Sequence, residues 1–145
     1  MKKVFIDTNV FIDYVARRAE FYTPAATIVG LAAKGHFCLL VSSLAFATAS
    51  YVLEKHYKMS TDMIMGSYQH FMTLAHITVM DENTVKAAIE TPFDDFEDAM
   101  QYHSAMAATA DCIVTRNKSD FSKSTLELYE PKEFLDMLLT QNPTT

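Results

Sequence analysis

Lys2-Lys3-Val4-Phe5-Ile6-Asp7-Thr8-Asn9-Val10 is the stretch that decides the fold. Val4, Phe5 and Ile6 are consecutive apolar residues of β-branched and aromatic type, which predicts a strand buried on both faces, as in a parallel sheet. Asp7 ends the run, and Thr8 or Asn9 is placed to cap a helix that begins at Val10. A carboxylate at the C-terminal end of a buried parallel strand sits where open α/β sheets bind their ligands. Asp7 is therefore a candidate site residue; on this stretch alone, a plain role as helix cap or turn residue is the alternative.

Outward from this stretch, short apolar runs alternate with helical patterns. Strands are expected at 37–41, 77–80 and 112–114, with a fifth at 126–129. Helices are expected at 10–18, at 23–34 with Thr23 as cap and Pro24 in the first turn, and from Ser42 or Ser43 to about 58. Further helices are expected at 61–75, 81–90, from Thr91-Pro92 to about 109, and from Pro131 onward. Met and aromatic residues at 63, 65, 68, 71 and 72 read as a core stripe. The alternation predicts an α/β fold: a mostly parallel central sheet of four or five strands flanked by helices on both faces. Residues 1–140 are expected to form a single domain, with a polar C-terminal tail at 141–145.

The totals agree with this class. The chain has 145 residues, half of them hydrophobic and 21% charged, with only three glycines and four prolines, which argues against a disordered or all-β chain. No apolar run is long enough to span a bilayer, and the chain opens directly on a core strand, so a cytoplasmic protein with no membrane partner is expected. The net charge of −6 argues against strong non-specific nucleic-acid binding, although not against an enzyme that grips phosphate through bound cations. Cys38 and Cys112 fall in expected strands and read as small core residues, and the five histidines show no metal-ligand spacing.

Carboxylates are the main chemical signal. Asp7 and Asp120 each follow a parallel strand and so lie at one edge of the sheet. Asp94, Asp95, Glu97 and Asp98 cluster at a helix start, with Asp95 and Asp98 on one helical face. Acids in a first turn are also ordinary helix chemistry, and Thr91-Pro92-Phe93-Asp94 reads as a capping box. Asp111 precedes its strand and belongs at the opposite edge, roughly 13 Å or more away at ~3.3 Å per residue. Acids gathered at one edge repel unless a cation is present, and all-oxygen ligation suits Mg²⁺ or Mn²⁺. The chain has no Gly-rich phosphate loop and no G-x-S-x-G elbow.

Three stretches together resemble the PIN-domain family, in particular its small VapC-type members: Phe5-Ile6-Asp7-Thr8-Asn9-Val10, Asp95-Phe96-Glu97-Asp98-Ala99-Met100-Gln101, and Ala110-Asp111-Cys112-Ile113-Val114-Thr115-Arg116-Asn117-Lys118-Ser119-Asp120-Phe121. The resemblance implies a three-layer α/β/α fold and a Mg²⁺- or Mn²⁺-dependent ribonuclease. It further implies the toxin of a toxin–antitoxin pair, with an antitoxin partner and a homodimer. Carried over residue by residue, Asp7, Asp98 and Asp120 match the metal-binding acids, and Asn9 and Thr115 match positions that support the site through hydrogen bonds. Asn117 stands where many members carry an acid. Arg116, Lys118, Arg17 and Arg18 are the candidate contacts to the RNA backbone.

One departure matters. The family usually has a Glu on the helix after the second strand, and Thr48 falls at that position here. Glu54 lies six residues on, ~120° around the helix, and does not substitute. The site is then expected to bind metal more weakly, to recruit Asp95, or to be an inactive interaction module. A haloacid-dehalogenase-type phosphatase is the other reading of an Asp after a first strand, but that chemistry wants D-x-D, and Asn9 occupies the second acid's place.

Overall fold

The computed structural model describes residues 1–91 and 93–141. The elements are β1 (Lys3–Ile6), α1 (Thr8–Val15), α2 (Tyr22–Ala33), β2 (Cys38–Ser42), α3 (Ser43–Lys55), α4 (Thr61–Met72) and β3 (His76–Thr78). They continue with α5 (Glu82–Glu90), α6 (Phe96–Ala107), β4 (Cys112–Val114), a 3₁₀ turn (Lys118–Phe121), β5 (Glu127–Tyr129) and α7 (Pro131–Gln141).

The sheet order is β3-β2-β1-β4-β5, and every neighbouring pair is parallel. β1 is central, with β2 on one side and β4 on the other. The strand order therefore reverses at β1, and its C-terminal end opens the crevice in which such sheets carry ligands. The strand's alternation decides what faces where. Val4 and Ile6 pack under Val10, Phe11, Ile28, Ala49, Phe71 and Phe134, from α1, α2, α3, α4 and α7. Phe5 packs on the other face with Ala88, Ala99, Tyr102 and Phe121, from α5, α6 and the 3₁₀ turn. The result is three layers, as the alternation of elements and the resemblance both imply.

Several boundaries differ from the sequence expectation for identifiable reasons. α1 starts at Thr8, not Val10, and Asp7 takes the N-cap position without its side chain capping the helix. Its backbone carbonyl accepts from Val10 and Phe11, so the carboxylate is released for other partners. α2 starts at Tyr22, which moves Pro24 to its third residue, where a missing N–H is still free of cost. α6 starts at Phe96 with Asp95 as its cap, not at Thr91-Pro92; Thr91 instead ends α5, and Pro92 lies outside the described residues. α3 stops at Lys55, and Ser42 caps it through a bond from the Ala45 amide. Gly35 ends the turn after α2 at a φ of +85°, a conformation that favours glycine. α7 reaches Gln141, and the rest of the expected tail lies outside the described residues.

The methionine-rich stripe of α4 does not all enter the core. Ile64 and Phe71 are buried, whereas Met63, Met65 and Met72 are at least half exposed. Ile64, Tyr68 and Phe71, spaced four and three apart, form the inner face; Met63 falls on one flank of it, and Met65 and Met72 on the other. No described helix is long and apolar enough to cross a membrane.

Candidate active site

Asp7 is delivered by the end of β1, where its amide donates to Val114 O of β4 at 2.9 Å. It is 4% exposed, so its carboxylate must be held by protein donors. Gln101 Nε2 donates to Oδ1 at 3.1 Å, and Thr115 Oγ1 donates to Oδ2 at 3.0 Å. Both partners are fully buried. The orientation of the Gln101 amide follows from its other end: Oε1 accepts from the Thr8 amide and from Thr8 Oγ1, each at 3.0 Å. Two donors on that side fix the oxygen there and turn the NH₂ group to the carboxylates. The same Nε2 lies 3.4 Å from Asp98 Oδ1, so a single amide holds the acid of β1 against the acid of α6.

Asp98 is half-buried in the first turn of α6. Burial, then the charges of Asp7, Asp95, Asp120 and Glu97, push its pKa up to about 7. Burial also raises Asp7, against the hydrogen bonds from Gln101, Thr115 and the Thr8 backbone that favour its charged form. Asp120 is exposed on the 3₁₀ turn, whose start is organised by Thr115 accepting from the Asn117 amide at 3.1 Å. Asn117 Oδ1 accepts from Ser119 Oγ at 2.7 Å. Asp95 is exposed and spends Oδ1 on the Asp98 amide at 3.0 Å, as the helix cap. Asn9 is exposed, and the support for Asp7 comes from Gln101 and Thr115. Asp111 lies at the other end of β1, accepting from the Lys3 amide at 2.7 Å.

The candidate cations have partners of their own. Arg116 and Arg18 both close on Asp13, which is 1% exposed, at 2.7 and 3.1 Å. The Arg116 guanidinium also lies 3.9 Å over the Phe21 ring. Lys118 pairs with Glu133 at 3.0 Å, and Arg17 stands 5.8 Å from the Tyr22 ring. A cleft of about 360 Å³ opens beside Arg116, walled by Phe21, Glu130 and Lys132 among others. It begins one residue along the chain from Thr115, at the same sheet edge as the acids.

Sequence reasoning missed Gln101, although its spacing from Asp98 would have placed both on one helical face. It also missed Thr48's partner. Thr48 Oγ1 donates to Glu97 Oε1 at 2.6 Å, across from α3 to α6.

The family whose sequence model matches is the PIN domain, over residues 3–119. This chain belongs to the PIN-domain family. Ribonuclease VapC1 of Aquifex aeolicus is 27% identical over 140 residues, covering 93% of this chain and 94% of that protein. Among solved structures, Mycobacterium tuberculosis VapC20, described as a sarcin-ricin loop cleaving toxin, superposes with a TM-score of 0.67 at 12% identity, over 87% of this chain and 98% of that one. The VapBC2 complex of Rickettsia felis, bound to a promoter DNA fragment, superposes with a TM-score of 0.64 at 18% identity, over 88% of this chain and 98% of the matched one.

The donors of this PIN domain suit a hard divalent ion. They are all oxygen, and the charges that raise Asp98 are all carboxylates, so a cation would relieve repulsion already present. Among the described residues no three His, Cys, Asp or Glu side chains are drawn together tightly enough to ligate an ion by themselves. Asp7, Asp98 and Asp120 are the acids that would hold one.

The raised Asp98 has a consequence for the metal-free PIN domain. Unfolding returns this carboxyl from about 7 toward 3.8, so between those values the native state holds a proton that the unfolded chain releases. Asp98 therefore makes stability fall as pH rises through that window, and Asp7, also raised, acts in the same direction. Urea midpoints in EDTA at about pH 5 and about pH 8 should show a steeper fall in the wild type than in Asp98→Asn. Equal slopes would assign the effect to other groups.

Proposed function

We propose that this chain is a divalent-metal-dependent endoribonuclease that hydrolyses RNA phosphodiester bonds. The observation that carries the reading is that Asp7 and Asp98 share the Gln101 amide at the switch point of the sheet, where burial and then the charges of Asp7, Asp95, Asp120 and Glu97 push Asp98 up to about 7. Asp7, Asp98 and Asp120 would hold Mg²⁺ or Mn²⁺. Such an ion supplies an activated water and neutralises charge developing on the phosphoryl oxygens. Gln101 and Thr115 hold Asp7 in one orientation, so little reorganisation is left when the substrate arrives. Arg116, anchored by Asp13 beside the cleft, would receive the RNA backbone or a stacked base, with Lys118 two residues along the chain; Arg18 shares Asp13 with Arg116, and Arg17 lines a separate pocket with Ser67 and His70. The name of the Aquifex relative, a ribonuclease matched over nearly its full length, supports this chemistry. The family match sets aside the phosphatase reading.

The test is cleavage of mixed RNAs by the purified chain with added Mn²⁺. Cleavage should stop in EDTA and return when Mn²⁺ is restored. Activity that persists in EDTA would refute the metal, and no cleavage under any condition would favour the interaction module. Such a reaction belongs in the cytoplasm, and the toxin role implied by the family resemblance calls for a cognate antitoxin protein.

A homodimer belongs to the same reading, with its basis revised. The α2 face is spent in the core through Ala25, Ile28 and Val29. The flank of α4 that carries Met65 and Met72, seven residues apart, is the apolar surface left for a second copy. Light scattering at roughly tens of micromolar should give a dimer mass; a monomer would count against this surface, as would a dimer unchanged by Met65→Glu.

A further inference from the structure

We propose that Glu97 is a fourth carboxylate of the site, presented by Thr48 from the opposite helix. The inference rests on the metal-dependent reading above and adds to it a residue and a positioning device.

Glu97 stands in the first turn of α6, where an acid needs no partner beyond the helix dipole and usually projects into water. Here it is only partly exposed, and Thr48, 49 residues earlier in the chain, donates to its Oε1 at 2.6 Å. That distance is typical of a hydroxyl bonded to an ionised carboxylate. The behaviour of Thr48 is also selective. A hydroxyl within a helix commonly bonds back to the carbonyl four residues earlier. Ser50 does so in the same helix, to Phe46 O at 2.7 Å, and Thr27 does so in α2, to Thr23 O. Thr48 spends its single proton on Glu97 instead. Behind burial and the other acids, the Glu97 charge adds to what raises both Asp7 and Asp98, the two acids bridged by Gln101. One oxygen accepting from Thr48 leaves Glu97 with further lone pairs for a cation.

This geometry changes the meaning of Thr48. A threonine there removes a carboxylate from α3, and its hydroxyl holds one supplied by α6. Asp95 spends Oδ1 on the Asp98 amide of its own helix as the cap, whereas Glu97 is held by a donor that comes from α3, where the threonine stands. Glu97 is the candidate ligand, and Thr48 is a positioning residue that acts through it.

The experiment is a calorimetric Mn²⁺ titration of the full chain without RNA. The proteins are the wild type, Glu97→Gln, Thr48→Val, the double variant, Thr48→Ser and Asp7→Asn. Glu97→Gln should weaken Mn²⁺ binding at least about tenfold, and Thr48→Val by several-fold to about tenfold. The double variant should be no weaker than Glu97→Gln, because Thr48 acts through that carboxylate. Thr48→Ser, which keeps the hydroxyl, should bind as the wild type does. Wild-type affinity in Glu97→Gln, or additive losses in the double variant, would overturn the proposal. If Asp7→Asn loses Mn²⁺ while Glu97→Gln keeps it, the nuclease reading survives and this inference alone fails. A wild type that binds no Mn²⁺ overturns both.

Discussion

Asp7→Asn is expected to reduce Mn²⁺-dependent RNA cleavage by at least about a hundredfold while leaving the fold intact. The activity argument is electrostatic: the change removes a formal charge from the most buried acid of the site, the one at the end of the central strand. The structural argument follows from its partners. Gln101 Nε2 continues to donate to an oxygen at the Oδ1 position. Thr115 Oγ1, now facing an NH₂ group, rotates to accept, as a hydroxyl is able to do. A charge at 4% exposure has also been removed, which relieves desolvation. The thermal midpoint in EDTA should therefore equal or exceed that of the wild type. Cleavage surviving at saturating Mn²⁺ would remove Asp7 from the chemistry. Cleavage lost together with the fold would make Asp7 structural.

The second large effect is expected at Asp13, which has no part in the acid pocket. Asp13→Ala should destabilise the protein by about 3 kcal/mol, lowering Tm by roughly 6–12 °C for a domain of this size. Asp13 is 1% exposed and receives Arg116 at 2.7 Å and Arg18 at 3.1 Å. Removing it leaves two guanidinium groups close together with no anion between them. Both arginines keep 22–28% exposure and can recover part of their hydration, so the lower half of the range for broken buried pairs is the relevant one. Urea denaturation at neutral pH measures it. A loss below about 0.5 kcal/mol would show that the arginines simply turn to solvent and that the triad is a surface feature.

This triad also alters how the basic residues are read. In sequence, Arg17 and Arg18 at the end of a helix and Arg116 and Lys118 after a strand stand as equal candidate contacts to the RNA backbone. In the fold, Asp13 fixes Arg116 beside the cleft and Phe21. Lys118 is held by Glu133 at the surface, where exchange with a phosphate costs little. Arg116 and Arg18 are thus the preorganised cations of the set, an aspartate of α1 makes them so, and Arg116 is the one of the two that lines the cleft.

What the chain determines locally was legible without coordinates. Val4-Phe5-Ile6 ended by Asp7, Cys112-Ile113-Val114 ended by Thr115, and the capped helical periods between them suffice for a parallel α/β sheet. They also suffice for acids at its C-terminal edge, since strand burial and helix capping depend on neighbours within a few residues. The same locality misplaced the start of α6, because Asp95 and Thr91 are both competent caps and packing chose between them. It also placed all of the methionine stripe inside, when only the Ile64, Tyr68 and Phe71 side of α4 meets the sheet layer.

The partner of each carboxylate was decided by tertiary structure. Gln101 reaches Asp7 across 94 residues, Thr115 across 108, and Thr48 reaches Glu97 across 49. A side-chain hydrogen bond depends on distances of a few tenths of an ångström, which are set only when α3 and α6 have packed on the sheet. The sequence by itself determined the strand order's raw material and which acids stand at strand and helix ends. Closure of the layers determined which amide clamps Asp7, that Arg116 is anchored by Asp13, and which hydroxyl bonds Glu97, because each of those bonds joins elements that no local pattern connects.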